Sequence, residues 1–391
     1  MFRSVLDNDL YKFTQQQIVL DMYPNVRCQY KFINRRKTDK FNSKFLELFE
    51  EKILSHHMLY LTHEELEYLE SLPYFKKSYI SFLWNRTLLN KNHINYCVNA
   101  DGDLELTIDG LWVDTILWEV PLMAIISESF YESNILENQS PNNNDLQVKQ
   151  ANRKGNWLNS SNVKWADFGT RRRRSSLHQK IIVEEMSKFK PNFLGTSNVY
   201  LAKEYNCNPI GTVAHEWTMG TSALKSLRKA NYFALKDWAE FYKGQLGIAL
   251  TDTYGSDAFF KDFNLELAKL YDGVRQDSGS PDEFAKKAIS HYKNLNIDPK
   301  TKTIVFSDSL DVILACELNK NWNDKINCVF GIGTHFTNDC PDKHALNMVI
   351  KLNSVDDIPV VKLSDVVSKA CGDEDAVKVA KWTHLGSSLE E

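Results

Sequence analysis

From Val163 onward the sequence repeats one rhythm: a short apolar run, then a longer amphipathic one. The apolar runs are Val163–Phe168, Phe193–Gly195, Ile210–Ala214, Gly247–Leu250, Gly273–Val274, Thr303–Phe306 and Cys328–Phe330. Between them, Ser175–Lys190, Asn198–Tyr205, Ser222–Lys243, Ser256–Tyr271, Pro281–Leu295 and Leu310–Asn321 carry helical spacing. Strand then helix, repeated, is how a parallel sheet is written, because each crossover helix returns the chain to the same sheet end. The number and length of the units favour a closed β/α barrel over an open sheet. Upstream, Arg27–Ile33 and Leu104–Ile108 alternate with period two, while Phe41–Leu54 and His63–Leu72 space their apolar residues helically. The predicted class is α/β: an irregular parallel β/α barrel with an N-terminal α+β domain. The Asn-rich stretch Asn134–Asn162 has few large apolar residues and reads as a surface loop or linker.

Composition excludes several alternatives. Hydrophobic residues make up 43% and charged residues 25%, which suits a globular chain and not a disordered one. The net charge of -4 opposes nucleic acid as the main partner. Seven scattered cysteines without a CxxC read as reduced thiols, hence a cytoplasmic protein. The most apolar stretch, Ile116–Ile126, is too short for a bilayer and contains Glu119, so no membrane partner is expected.

Barrel chemistry sits at strand C-termini. Following the strands in order, those ends carry Phe168-Gly169-Thr170 with Arg171–Arg174, then Thr196-Ser197, His215-Glu216, Thr251-Asp252, Arg275-Gln276-Asp277-Ser278, Ser307-Asp308 and Gly331-Ile332-Gly333-Thr334. Glycine-rich turns with hydroxyls suit phosphate, though a tight turn alone also needs glycine. Asp252, Asp277 and Asp308 suit Mg²⁺ or ribose hydroxyls, or merely cap the next helices. Arg171–Arg174 is a solvated patch or sends one or two side chains into an anion pocket. His215 is a packed barrel histidine or a nucleophile.

The segments LDNDLYKFT, ILWEVP, FGTRRRRS, GTSNVYLA, GTVAHEW, DGVRQDSGSP, FSDSLD and FGIGTHFTND together resemble the nicotinate phosphoribosyltransferase family along nearly the whole chain. The resemblance implies transfer of phosphoribose from 5-phosphoribosyl 1-diphosphate to nicotinate, with Mg²⁺ and with ATP as co-substrate, in the synthesis of NAD. It implies that Phe168 and Tyr11 stack on the pyridine, Tyr11 coming from the partner of a homodimer with shared sites. Arg171 and Ser197 would read the carboxylate side, with Thr196 beside them. Arg275 would lie at the base and phosphate end, and Asp277 and Asp308 would hold ribose hydroxyls and Mg²⁺. Asp252, Ser278 and Ser307 would line the substrate, and Gly331, Gly333 and Thr334 would cradle the 5′-phosphate. His215 would be phosphorylated by ATP. The implied division is residues 1–130, an N-terminal domain serving the partner's site; 131–350, the barrel; and 351–391, a segment packing back on the N-terminal domain. The nicotinamide phosphoribosyltransferases are the alternative; they place Asp where this chain has Ser197, which suits an amide and repels an acid.

Overall fold

Strand β1 (Arg27–Asn34) alternates buried and exposed residues, as its period-two sequence requires. It pairs antiparallel with β3 (Leu104–Leu111), and β3 pairs antiparallel with β2 (Ile94–Val98). The computed structural model describes residues 4–84, 86–134, 144–211, 213–340 and 344–386. They fall into two compact units: Met1–Gly211 with Ile332–Lys351, and Thr212–Gly331 with Leu352–Glu391.

In the first unit, the helix Ser43–His57 buries Phe45, Phe49 and Ile53 at helical spacing. The helix His63–Ser71 begins with a capping box between Thr62 and Glu65. The apolar stretch near Ile116–Ile126 becomes the almost wholly buried helix Glu119–Ser133. Among the described residues no helix is long and apolar enough to cross a membrane. Three parallel strands follow in spatial order: β4 (Trp165–Asp167), β5 (Phe193–Thr196) and β6 (Asn208–Pro209). Gly195 is obligatory in this ladder. Its φ is +146°, and a Cβ there would lie 2.0 Å from the Asn208 carbonyl oxygen.

The second unit runs β7 (Ile248–Leu250), β8 (Gly273–Gln276), β9 (Thr303–Phe306) and β10 (Asn327–Ile332), each parallel to the next. Val361, Leu363 and Ala380 pack with Ala230, Tyr254 and Ala258 into a buried core. Parallel strands alternating with helices, beside a separate antiparallel sheet, are the predicted α/β class.

Three local expectations are corrected. Ile210–Ala214 is not a strand. The last bond of the ladder is donated by Ile210 N–H to Thr196 O at 2.8 Å, and His215 opens the helix His215–Leu224. The runs Ser222–Lys243 and Ser256–Tyr271 are each interrupted. The second restarts at Asn264, whose side chain accepts from Leu267 N–H. Most of the expected linker is the helix Asn144–Ser160, while residues 135–143 lie outside the described residues.

Candidate active site

The predicted site residues form one cluster in each unit. In the first, the backbone after β4 and β5 sets the positions. Phe168 N–H donates to Ile332 O at 2.9 Å, and Ser197 N–H donates to Asp167 O at 2.8 Å. Phe168 is half-buried. Leu10 N–H donates to Ser197 O at 2.8 Å, which brings the N-terminal segment alongside. Tyr11 follows; its ring centroid is 6.0 Å from the Arg171 guanidinium of the same chain. The Arg171 side chain is 32% exposed and lies 3.4 Å from Glu119 and 4.0 Å from Asp9. Gly333 packs so closely that a Cβ would sit 2.9 Å from Phe168 O, and Thr334 opens the short helix Thr334–Thr337.

The electrostatics here differ from expectation in one respect. Ser197 Oγ donates to Asp9 Oδ1 at 2.7 Å, so the hydroxyl already serves a carboxylate of the protein. Burial pushes the Asp9 carboxyl up, against Arg171 and Ser197. Glu119 behaves oppositely. Burial alone would raise it, but Lys12 at 2.6 Å, helped by Arg171, holds it at about 2. The arginine run divides by environment, because successive side chains point in different directions. Arg173 is buried and structural: it grips both oxygens of Asp7 and donates to Glu128 at 2.8 Å. The Arg174 guanidinium stacks 4.0 Å from the Tyr131 ring centre.

The second cluster is ionic. His215, at a helix N-terminus and not a strand end, places Nε2 2.7 Å from Asp252 Oδ1 and 3.6 Å from Asp277 Oδ2. Asp252 Oδ2 takes Lys362 at 2.9 Å, Ser278 Oγ at 2.7 Å and Ser364 Oγ at 3.2 Å. Burial opposes this charge, but Lys362 and His215 hold the carboxyl well below the usual range. Arg275 donates to Asp277 at 2.8 Å and to Ser307 Oγ at 2.7 Å, and the Asp277 carboxyl is likewise depressed despite burial. Asp308 pairs with Lys369 at 2.5 Å. Gly331 lies within β10, and Thr196 Oγ1 donates to Asp167 in the first unit.

Could these residues hold Mg²⁺? The acids that cluster closely enough with His215 are Asp252 and Asp277, and that group does not include Asp308. Asp252 is filled by Lys362 and three other donors. Asp277, beside Arg275 and His215, and Asp308, beside Lys369, offer the hard oxygens Mg²⁺ takes, which suits an ion arriving with substrate phosphates and not a protein-only cage. Lys362, Ser364 and Lys369 were invisible to the sequence reading because they follow the last β/α unit. Asp9 lies in LDNDLYKFT and Glu119 in ILWEVP, where an acid within an otherwise apolar or helical run is the signal the sequence offers.

Residues 163–385 match the nicotinate phosphoribosyltransferase family, and residues 6–127 match its N-terminal domain. The chain is 46% identical to the nicotinate phosphoribosyltransferase of Methanococcoides burtonii over 100% of both chains. Against that of Chromohalobacter salexigens it is 41% identical, over 97% of this chain and 98% of the relative. The crystal structure of nicotinate phosphoribosyltransferase from Porphyromonas gingivalis superposes with a TM-score of 0.94 at 34% identity, covering 99% of this chain and 100% of that one. The Vibrio cholerae enzyme gives 0.92 at 35% identity, covering 99% and 94%. The chain therefore belongs to the nicotinate phosphoribosyltransferase family, and it is an enzyme.

Proposed function

We propose that the enzyme transfers phosphoribose from 5-phosphoribosyl 1-diphosphate to nicotinate, yielding nicotinate mononucleotide and diphosphate on the route to NAD. We read the transfer as coupled to ATP hydrolysis through phosphate carried on His215. In the transfer, the C1–O bond to diphosphate breaks and the pyridine nitrogen bonds to C1. Such a step asks a protein for positioning and for neutralisation of the leaving group. The first cluster suits the pyridine: Phe168 offers an aromatic face, and Arg171 offers charge to a carboxylate. The second suits phosphate chemistry.

The observation that carries the coupled mechanism is the buried His215–Asp252–Lys362 chain. A carboxylate held ionised by an ammonium accepts a hydrogen bond from Nε2–H of the neutral imidazole, which fixes the tautomer and leaves Nδ1 as the basic, nucleophilic nitrogen. Attack of Nδ1 on the terminal phosphorus of ATP releases ADP, and water later returns the phosphate as orthophosphate. Asp277 and Asp308 would hold Mg²⁺ through carboxylate oxygen, and the bound ion would neutralise the diphosphate. Arg275 and Lys369 keep those acids oriented.

Nicotinamide is disfavoured as the substrate because Arg171 has no use for a neutral amide, and Asp9 is already committed to Ser197. The resemblance also supports a homodimer. Mixing inactive Tyr11→Ala with inactive Phe168→Ala tests whether subunits share sites, since only a shared site regains activity. The decisive experiment is the mass of product formed from nicotinate, phosphoribosyl diphosphate and Mg²⁺, with and without ATP. Nicotinate mononucleotide, formed faster with ATP, is expected; product from nicotinamide alone would reverse the assignment.

A further inference from the structure

Asp167 ends β4 immediately before Phe168 and has no part in the chemistry above. It is fully buried. Its Oδ1 accepts from Gly169 N–H at 2.9 Å. Its Oδ2 accepts from Gln179 Nε2 at 2.8 Å and from Thr196 Oγ1 at 2.7 Å. Its carbonyl oxygen accepts from Ser197 N–H at 2.8 Å. One residue is thus tied to both turns that carry Phe168, Arg171 and Ser197.

The choice of an acid here needs a reason. The Arg173 guanidinium donates to Asp7 and Glu128, and to Gln179 at 3.1 Å, which in turn donates to Asp167. Facing Asp167 are Asp9 from the N-terminal segment, Gln179 from the helix Ser176–Ser187, and Cys207 from the turn before β6. Burial, with Asp9 nearby, pushes its carboxyl up to about 6 despite three donors. An ionised, buried acid without a cationic hydrogen-bond partner costs folding energy. A neutral side chain would avoid that cost, so the acid's value lies in what it holds. Only a carboxylate accepts from Gly169, Gln179 and Thr196 at once; an asparagine has one oxygen and must turn its amide N–H₂ toward at least one of these donors.

We propose that Asp167 is the positioning residue that fixes the spacing between Phe168 and Ser197, and through it sets the affinity for the pyridine substrate. This rests on the nicotinate reading above. The test is Asp167→Asn in the full chain, with steady-state kinetics, thermal melting and acid-labile phosphate from ATP. The KM for nicotinate should rise about tenfold or more, the scale of a lost hydrogen bond to a charged group. The KM for phosphoribosyl diphosphate and the phosphate on His215 should stay near wild type, and the Tm should change little, because relief of the buried charge offsets the mispaired donor. Thr196→Val removes one donor only, and should raise the nicotinate KM by a smaller factor in the same direction; it also serves if Asp167→Asn does not fold. An unchanged nicotinate KM in both variants overturns the inference. So does a parallel loss of both KM values and Tm, which is what a merely structural residue gives. If wild type makes no nicotinate mononucleotide, the functional reading falls and this inference with it; product with an unmoved KM in the variants sinks the inference alone.

Discussion

Glu119 and Lys12 are both buried and meet at 2.6 Å. Glu119→Gln would strand the lysine without a countercharge, so a loss of about 3–5 kcal/mol is expected in urea unfolding at pH 7. Lys12→Met with Glu119→Leu should recover much of it. The pH dependence has a fixed sign. The carboxyl sits near 2, below its ordinary 4.5, so its contribution is full above 4.5 and is lost as pH falls toward 2. The stability gap between wild type and Glu119→Gln should narrow over that interval. Ser197 makes a second prediction. Its hydroxyl is donated to Asp9, so Ser197→Asp would set two acids together at the place proposed for the substrate's carboxylate. The ratio of nicotinate to nicotinamide use should fall by about 10-fold or more, measured as kcat/KM for each. The sequence made Arg171 and Ser197 visible as strand-end residues. It hid the Asp9 partner, because a hydrogen bond across most of a domain leaves no mark in local spacing.

The helix Asn144–Ser160 shows how an element can escape a composition argument. Asparagine and charge dominate its residues, yet Gln147, Ala151, Lys154, Gly155 and Leu158 make one buried stripe at helical spacing. Gly155 reads as a breaker in sequence. In the structure it is a contact, since a Cβ there would fall 2.3 Å from the Phe189 ring. Lys154 Nζ reaches Asp339 Oδ2 at 2.7 Å and donates to His335 O, and so clamps the turn that begins at Gly333 and Thr334. Lys154→Met should raise the KM for phosphoribosyl diphosphate by about tenfold, on the scale of one charged hydrogen bond, with nicotinate KM unchanged. Lys154→Arg should restore part of it. The β/α rhythm was legible because strands buried on both faces must be apolar throughout. The missing strand at Ile210–Ala214 was not, because its apolar residues serve the approach to the helix of His215.

At the scale of the molecule, the proposed function assigns pyridine binding to the residues around Phe168 and phosphate chemistry to those around His215, and substitutions test the two assignments separately. Arg171→Ala should abolish nicotinate transfer and still acquire acid-labile phosphate from ATP. His215→Asn should acquire none, and should retain a slower transfer that ATP no longer accelerates. Radiolabelled ATP, with an acid-lability control, reads both; label on His215→Asn equal to wild type would remove the assignment of that residue. The cluster around His215 also has an order of assembly. Its acids and imidazole precede Lys362 along the chain by several elements, and Lys362 supplies the ammonium at 2.9 Å from Asp252. At ribosomal speeds of about 5–20 residues per second, Asp252 waits on the order of ten seconds for that ammonium. During that interval the nascent chain carries an imidazole and two carboxylates, with Arg275 beside Asp277 but no ammonium for Asp252. The segment that carries Lys362 therefore gives the cluster its balance of charge, and a chain that stops short of it leaves Asp252 without its ammonium.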